Sequence, residues 1–268
     1  MFRYMKFEDM INTIQLGDCY ELIKQIPDKS IDLVYIDIPY LVKNMTSGTG
    51  NIKKLSGFTN DKGTQRQETR KQTFLELANI MNGIDYSIFD ELCRIMKNIY
   101  IYIWCSKEQI LDIMKYFVDV KKCMFEILVW CKTNPTPFCN NTWLPDIEYC
   151  LLFRKPQVTK LNDGIELKSK YYVGKTNVAD KELFKHPTIK PLEVVKRHIL
   201  HSTQPNDIVL DCFCGSGTTC LAAKETDRRF IGMEIDKEYY RIAVNRLNGI
   251  TANGQLSIFT DISKIKEE

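Results

Sequence analysis

The sequence predicts an α/β domain built on a mostly parallel sheet with an antiparallel pair at its edge. Three observations lead there. Short apolar, β-branched runs alternate with stretches at helical spacing. One such run, Ile31-Asp32-Leu33-Val34-Tyr35-Ile36-Asp37, stops abruptly at Ile38-Pro39-Tyr40, as a buried strand of a parallel sheet does. A second, Asp207-Ile208-Val209-Leu210-Asp211, runs into a turn carrying Gly215 and Gly217 and then into a helix. Open sheets of this kind bind ligands at the carboxyl ends of their strands, which makes both turns candidate sites.

In chain order, Thr13–Leu16 reads as a short strand and Cys19–Ile26 as a helix with Tyr20, Leu22, Ile23 and Ile26 at core spacing. The turn Pro27-Asp28-Lys29-Ser30 then leads into the central strand, which completes a β-α-β unit with parallel pairing. Residues 41–72 are polar, rich in Gly, Thr and Asn, and basic at Lys53, Lys54, Lys62, Arg66, Arg70 and Lys71. A loop of that length is either a solvated insertion or a mobile basic flap that closes on a polyanion. Ile84–Met96 is predicted as a helix, Asn98–Trp104 as a strand, and Ser106 as the cap of a helix running through Val118. Phe125–Lys132 and Asp146–Phe153 form the antiparallel edge pair. Residues 154–185 are lysine-rich, carry Tyr171-Tyr172 and show no period, as a second small insertion would.

His186-Pro187-Thr188-Ile189-Lys190-Pro191 precedes a helix through Leu200. After the strand ending at Asp211 come a helix around Leu221-Ala222-Ala223, a strand Arg229–Glu234, and a last helix Lys237–Leu247 capped by Asp236. One domain, residues 1–268, accommodates all of these elements.

Composition narrows the class. Lys and Arg number 37 against 34 Asp and Glu, and this small excess is compatible with nucleic acid without arguing for it. No run is long and apolar enough to span a bilayer, and the first residues lack an apolar signal core, so a cytoplasmic protein away from the membrane is expected. The ten cysteines include no Cys-x-x-Cys pair and none has a histidine at zinc-finger spacing. Cys105, Cys131 and Cys150 fall within apolar strands, where a thiol acts as a small hydrophobe. Free thiols in a reducing compartment and no metal are the expectation.

Strand, Gly-x-Gly turn, helix, strand and acidic residue make a Rossmann-like nucleoside site. Glycine lets the backbone pass close beneath a ligand. Glu234 follows the glycines by roughly 20 residues, the spacing at which a carboxylate holds ribose hydroxyls. The dinucleotide fingerprint needs a third glycine, and Thr218-Thr219-Cys220 follows Gly217 instead. A bound pyrophosphate, and with it a nicotinamide dehydrogenase, is disfavoured.

At these residues the chain resembles a known family. Asp211-Cys212-Phe213-Cys214-Gly215-Ser216-Gly217-Thr218 is similar to the S-adenosylmethionine motif of the amino-methylating (N6-adenine/N4-cytosine) DNA methyltransferases, and Asp37-Ile38-Pro39-Tyr40 to their catalytic motif. The catalytic motif comes first and the cofactor motif last, the circularly permuted order of the β-class. Gly17-Asp18, Trp104-Cys105-Ser106, Asn134-Pro135 and His186–Pro191 also fall where that class has secondary motifs. Two departures stand out: Ile38 and Cys212 each occupy a position where proline is usual.

The resemblance implies a Rossmann-like methyltransferase fold and a methyl group passed from S-adenosylmethionine to an exocyclic amine of DNA. The amine lone pair is delocalised into the ring, so acceptors must draw its hydrogens. Asp37 and a main-chain carbonyl of Ile38 or Pro39 serve, with Pro39 fixing the turn and Tyr40 stacking on the flipped base. By the same resemblance Asp18, Asp211, Phe213, Gly215, Gly217, Thr218 and Glu234 hold the cofactor, with His186 and Lys190 at its methionine end. Lys53, Lys54, Arg66, Arg70 and Lys71 would meet phosphates of double-stranded DNA, and 154–185 would read the target. Asp at the first motif position leans towards adenine N6. Cytosine N4, or a silent nucleic-acid-binding relative, is the alternative. A homodimer and a cognate restriction endonuclease are partners such enzymes have.

Overall fold

The computed structural model describes residues 5–41, 83–135, 143–157, 168–176, 183–184 and 189–251. Its centre is an eight-stranded sheet of order β1-β8-β7-β2-β3-β5-β4-β6. The strands are β1 (Thr13–Leu16), β2 (Leu33–Asp37), β3 (Tyr100–Cys105), β4 (Met124–Lys132), β5 (Ile147–Arg154), β6 (Tyr171–Gly174), β7 (Ile208–Asp211) and β8 (Arg229–Glu234). The five strands from β1 to β3 in the sheet pair in parallel, and β5 runs antiparallel to both β3 and β4.

Residue alternation explains how the sheet is covered on both faces. In β3, Ile101, Ile103 and Cys105 enter one core cluster, with Val34 and Ile36 of β2. Helices on that face include the one-turn α1 (Phe7–Met10), α2 (Cys19–Leu22) and α3 (Ile88–Ile95). Tyr100, Tyr102 and Trp104 of the same strand, with Leu33 and Tyr35 of β2, face the other way. There they meet α5 (Leu192–Ser202), α6 (Thr218–Lys224) and α7 (Lys237–Leu247). Between β3 and β4 lies α4 (Ile110–Met114), which passes into a π turn over Lys115–Val120. There the Lys121 N–H reaches back five residues to the Tyr116 carbonyl at 3.0 Å. Among the described residues no helix is long and apolar enough to cross a membrane.

Most elements lie where the sequence places them, and β1 and α7 agree to the residue. Three differ. Ser106 does not cap the following helix: its hydroxyl donates to the Leu41 carbonyl at 3.0 Å, and Gln109 stands at the cap position. The helix expected over Ile84–Met96 begins only at Ile88, because the Asp85 side chain accepts from Ser87 N–H in a local turn. The segment 154–185 is not wholly peripheral either. Its Tyr171–Gly174 stretch becomes β6 and pairs in parallel with Val129–Lys132, so β6 rather than the antiparallel pair forms the sheet edge. Four residues are too short to announce a period, and Tyr171 and Val173 are exposed.

Close packing of α6 on the sheet depends on Gly232 in β8. A Cβ there would stand 2.8 Å from Cys220 Sγ and 2.9 Å from Ile14 Cγ1. Gly232→Ala should destabilise the protein by about 1–3 kcal/mol through overpacking. A lowered urea midpoint would show this, and an unchanged one would mean the helix moves away freely.

Candidate active site

The sheet reverses its winding between β7 and β2. From β7 the chain proceeds to β8 on one side, and from β2 it proceeds to β3 on the other. A crevice opens at the carboxyl ends of such a pair. Here it is a cavity of about 640 Å³, lined by the ends of β1 (Gly17, Asp18), β2 (Asp37 to Tyr40), β7 (Asp211 to Ser216) and β8 (Glu234 to Asp236). The two turns singled out in the sequence face one space.

Backbone geometry builds the β7 side. Gly215 and Gly217 take φ of 48° and 74°, a region that penalises any residue with a Cβ. At Gly217 a Cβ would also lie 3.0 Å from that of Ala243, so α7 closes on the turn only over a glycine. Phe213 N–H donates to Asp211 Oδ1 at 3.0 Å. Asp211 is 3 % exposed. Burial pushes its carboxyl up to about 7, against hydrogen bonds from Thr219 and Phe213. Glu234 uses both oxygens: Oε2 accepts from Gly215 N–H and Oε1 from Asp236 N–H, each at 2.8 Å. It thus ties the glycine turn to β8 while lining the cavity. Asp18 caps α2 by accepting from Tyr20 N–H at 2.9 Å. The Thr218 hydroxyl accepts from Arg246 Nη1 at 2.6 Å.

The β2 side is electrostatic. Lys190 is 7 % exposed and places Nζ 2.6 Å from Asp37 Oδ2 and 3.1 Å from Glu148 Oε2. It also donates to the Tyr40 hydroxyl at 3.2 Å, and that hydroxyl donates to Glu148 Oε2 at 3.1 Å. Glu148 Oε1 takes Lys132 at 2.7 Å. The Lys190 ammonium lies 5.2 Å from the Tyr40 ring centroid and 5.4 Å from that of Trp104. Trp104 is itself fixed, since its indole N–H donates to Tyr35 at 2.9 Å and the Tyr35 hydroxyl meets His198 Nδ1 at 3.1 Å. Burial drives His198 down to about 3, so its ring is neutral there. Asp37 Oδ1 is buried and has no hydrogen-bond partner among the described residues.

Burial raises the Asp37 carboxyl above its ordinary value, and Lys190 opposes that rise. Burial would also raise Glu148, but Lys190 and Lys132 outweigh it and hold this carboxyl at about 2. Both carboxylates keep Lys190 protonated far above neutral pH. Gln109, wholly buried, holds the turn: its Nε2 donates to the Pro39 carbonyl and its Oε1 accepts from Ser106, all at 3.0 Å. Ile38, 1 % exposed, points into the apolar core, which accounts for a hydrophobe where proline is usual.

The structure brings Asp37, Pro39, Tyr40, Asp18, Asp211, Phe213, Gly215, Thr218, Glu234 and Lys190 to the cavity wall, and sets Gly217 behind it against Ala243. His186 and the basic residues Lys53, Lys54, Arg66, Arg70 and Lys71 lie outside the described residues. Sequence reasoning missed Glu148 and Gln109. The signal for Glu148 was a single charge in the apolar run Ile147–Phe153.

Lys190→Met would leave two carboxylates without their shared cation. It should cost roughly 3–5 kcal/mol of stability at pH 7. Asp37 would then sit still further above its ordinary value, while Glu148 keeps Lys132, so the deficit grows as pH rises above about 4 and shrinks as acid protonates Asp37. Urea unfolding at pH 4 and pH 7 checks this, and an equal deficit at both would contradict it.

Comparison with known proteins agrees with this geometry. The profile of the N6/N4 methylase family, described as DNA methylase, matches residues 31–245. The type II methyltransferase M.HinfI of Haemophilus influenzae is 32 % identical over 271 residues, covering 91 % of this chain and 70 % of that protein. The type II methyltransferase M2.LlaDCHI of Lactococcus lactis subsp. cremoris is 30 % identical over 254 residues, 87 % of each chain. Among solved structures, the M1.HpyAVI–SAM complex superposes with a TM-score of 0.60 at 26 % identity, over 88 % of this chain and 98 % of that one. The cytosine-N4-specific PvuII DNA methyltransferase shares the fold, with a TM-score of 0.62 at 19 % identity over 94 % of this chain and 90 % of its own.

Proposed function

The chain belongs to the N6/N4 DNA methylase family and is a DNA methyltransferase, and from that premise we propose that it methylates the exocyclic N6 of adenine using S-adenosylmethionine. One observation carries the proposal. Asp37 has one carboxylate oxygen held by Lys190 and the other buried without a partner among the described residues, in a carboxylate that lines the shared cavity. An unpartnered buried acceptor is costly unless a ligand supplies the donor. An amine N–H is such a donor.

The cavity suits the cofactor on its β7 side. The glycine turn leaves room for close approach, and Asp18, Asp211 and Glu234 offer acceptors for hydroxyls and cationic groups. S-adenosylmethionine bound there supplies a methyl group activated on a cationic sulfur. The chain's own residues do the rest. Asp37 Oδ1 accepts one amine hydrogen and the Ile38 carbonyl the second, because the Pro39 carbonyl already serves Gln109. Drawing both hydrogens localises the lone pair on nitrogen. Tyr40 flanks the base after it leaves the duplex. Orientation supplies much of the acceleration.

The basic residues of 41–72 contact phosphates in this reading, and 154–185 contributes target recognition within one domain. Likeness to two type II methyltransferases supports a restriction–modification setting with a cognate endonuclease.

Incubation with unmethylated duplex DNA and S-adenosylmethionine, followed by digestion to nucleosides and mass analysis, tests the assignment. N6-methyladenine is expected, and N4-methylcytosine in its place would overturn the choice of base. Asp37→Ala should lower the transfer rate by roughly a hundredfold or more while cofactor affinity stays within a few-fold; retained transfer would remove Asp37 from the chemistry. A pH dependence also follows. Asp211, pushed up to about 7, is largely protonated below that pH before a ligand binds. A cationic ligand favours its ionised form, so binding releases a proton and cofactor affinity rises with pH through 7. Calorimetry should find this slope in the wild type and its loss in Asp211→Asn.

A further inference from the structure

Glu148 belongs to none of the motifs through which the chain resembles its family. It reaches the site because β5 runs against both its neighbours. Its first residues, not its last, therefore lie level with the carboxyl end of β3, where Cys105 pairs with Tyr149. Its side chain is 18 % exposed and makes three contacts: Lys132 on Oε1, Lys190 and the Tyr40 hydroxyl on Oε2.

An ammonium has three protons to give. Those of Lys190 have three acceptors: Asp37 Oδ2 at 2.6 Å, Glu148 Oε2 at 3.1 Å and the Tyr40 hydroxyl at 3.2 Å. Saturated in this way, the ammonium stays on one oxygen of Asp37 and leaves the other, buried oxygen without a donor among the described residues. Resting on the function proposed above, we propose that Glu148 is a positioning residue for methyl transfer, which holds Lys190 off Asp37 Oδ1 and fixes the Tyr40 ring through its hydroxyl. Without the Glu148 charge, Lys190 turns towards Asp37, bridges both of its oxygens, and occludes the acceptor that the amine requires.

Among the described residues, the charged and titratable groups facing Asp37 are Lys190 ahead of α5, Glu148 and Cys150 of β5, Tyr40 of its own turn, Asp211 of β7, Cys105 of β3 and Tyr35 of β2. Of these, Glu148 raises the Asp37 carboxyl and Lys190 lowers it. Removing the Glu148 charge therefore moves the acid limb of the rate profile to lower pH, even as the rate falls. Loss of packing alone moves no such limb.

The test is the single-turnover rate of methyl transfer to unmethylated plasmid DNA, with protein saturated in S-adenosylmethionine, across pH 5 to 9. Glu148→Gln preserves shape and the hydrogen bond from Tyr40 but not the charge. Its rate should fall roughly 10- to 100-fold, with the acid limb shifted downwards and cofactor affinity within about threefold. Glu148→Asp restores the charge, and should recover the wild-type acid limb and much of the rate. The proposal is overturned if Glu148→Gln transfers within about twofold of wild type, if it loses cofactor binding, or if its slow rate comes with an unmoved limb. The wild type run alongside separates the two readings. No transfer by the wild type would overturn the function itself, whereas normal transfer by Glu148→Gln would overturn only the role of Glu148.

Discussion

Burying a carboxylate at the end of β2 is unfavourable unless a cation and hydrogen bonds return what water gave. Asp37 meets this constraint through Lys190 at 2.6 Å, and much of the surrounding structure serves that contact. Trp104 gives the ammonium an aromatic wall, Tyr35 and His198 hold Trp104 in orientation, and Glu148 balances the charge. The aromatic residues of β3 thus have a second use beyond filling the core. They form the floor on which a buried charge is set. The uncompensated remainder, one oxygen of Asp37 with no partner among the described residues, is the kind of local strain that folded proteins concentrate at functional sites.

The two halves of the cavity solve different problems with different means. On the β7 side the backbone does the work: positive φ at two glycines, an N–H from Gly215 onto Glu234, and a helix whose Ala243 closes over Gly217. Among the side chains that line the space there, Asp18, Asp211 and Glu234 are acceptors suited to a hydroxyl-bearing, cationic ligand, beside the apolar Phe213 and Met233. On the β2 side a fixed turn, bracketed by Gln109, presents a charge and a ring. That division follows from the topology. Parallel strands end on one edge, and the reversal of winding between β7 and β2 leaves that edge open at a single place.

Much of this was legible in the sequence because its signals are local. The run ending at Asp37-Ile38-Pro39-Tyr40 and the turn through Gly215 and Gly217 each carry their own strand, turn and chemistry within about ten residues. The family resemblance added the permuted order and the cofactor. What was not legible is what tertiary pairing decides. The resemblance set Lys190 at the cofactor's methionine end, and only the fold brings it 153 positions back to Asp37. Glu148 required knowing that β5 runs antiparallel, since in a parallel strand the same residue would sit at the far edge of the sheet. Tyr171–Gly174 has too few residues to show a strand period and gains its identity by pairing with β4. Ser106 illustrates the opposite case: a good capping residue by type, it is drawn off by Gln109 and by the carbonyl of Leu41.

The central claim is that Asp37 acts as a split acceptor, with Oδ2 on Lys190 and Oδ1 on the amine. A crystal structure of the protein with a duplex containing its methylation site and S-adenosylhomocysteine measures this directly. The account predicts a flipped adenine beside Tyr40, its N6 within hydrogen-bond reach of Asp37 Oδ1, and Lys190 still on Oδ2 and Glu148. An amine bound away from Asp37, or Lys190 bridging both of its oxygens in the complex, would contradict it.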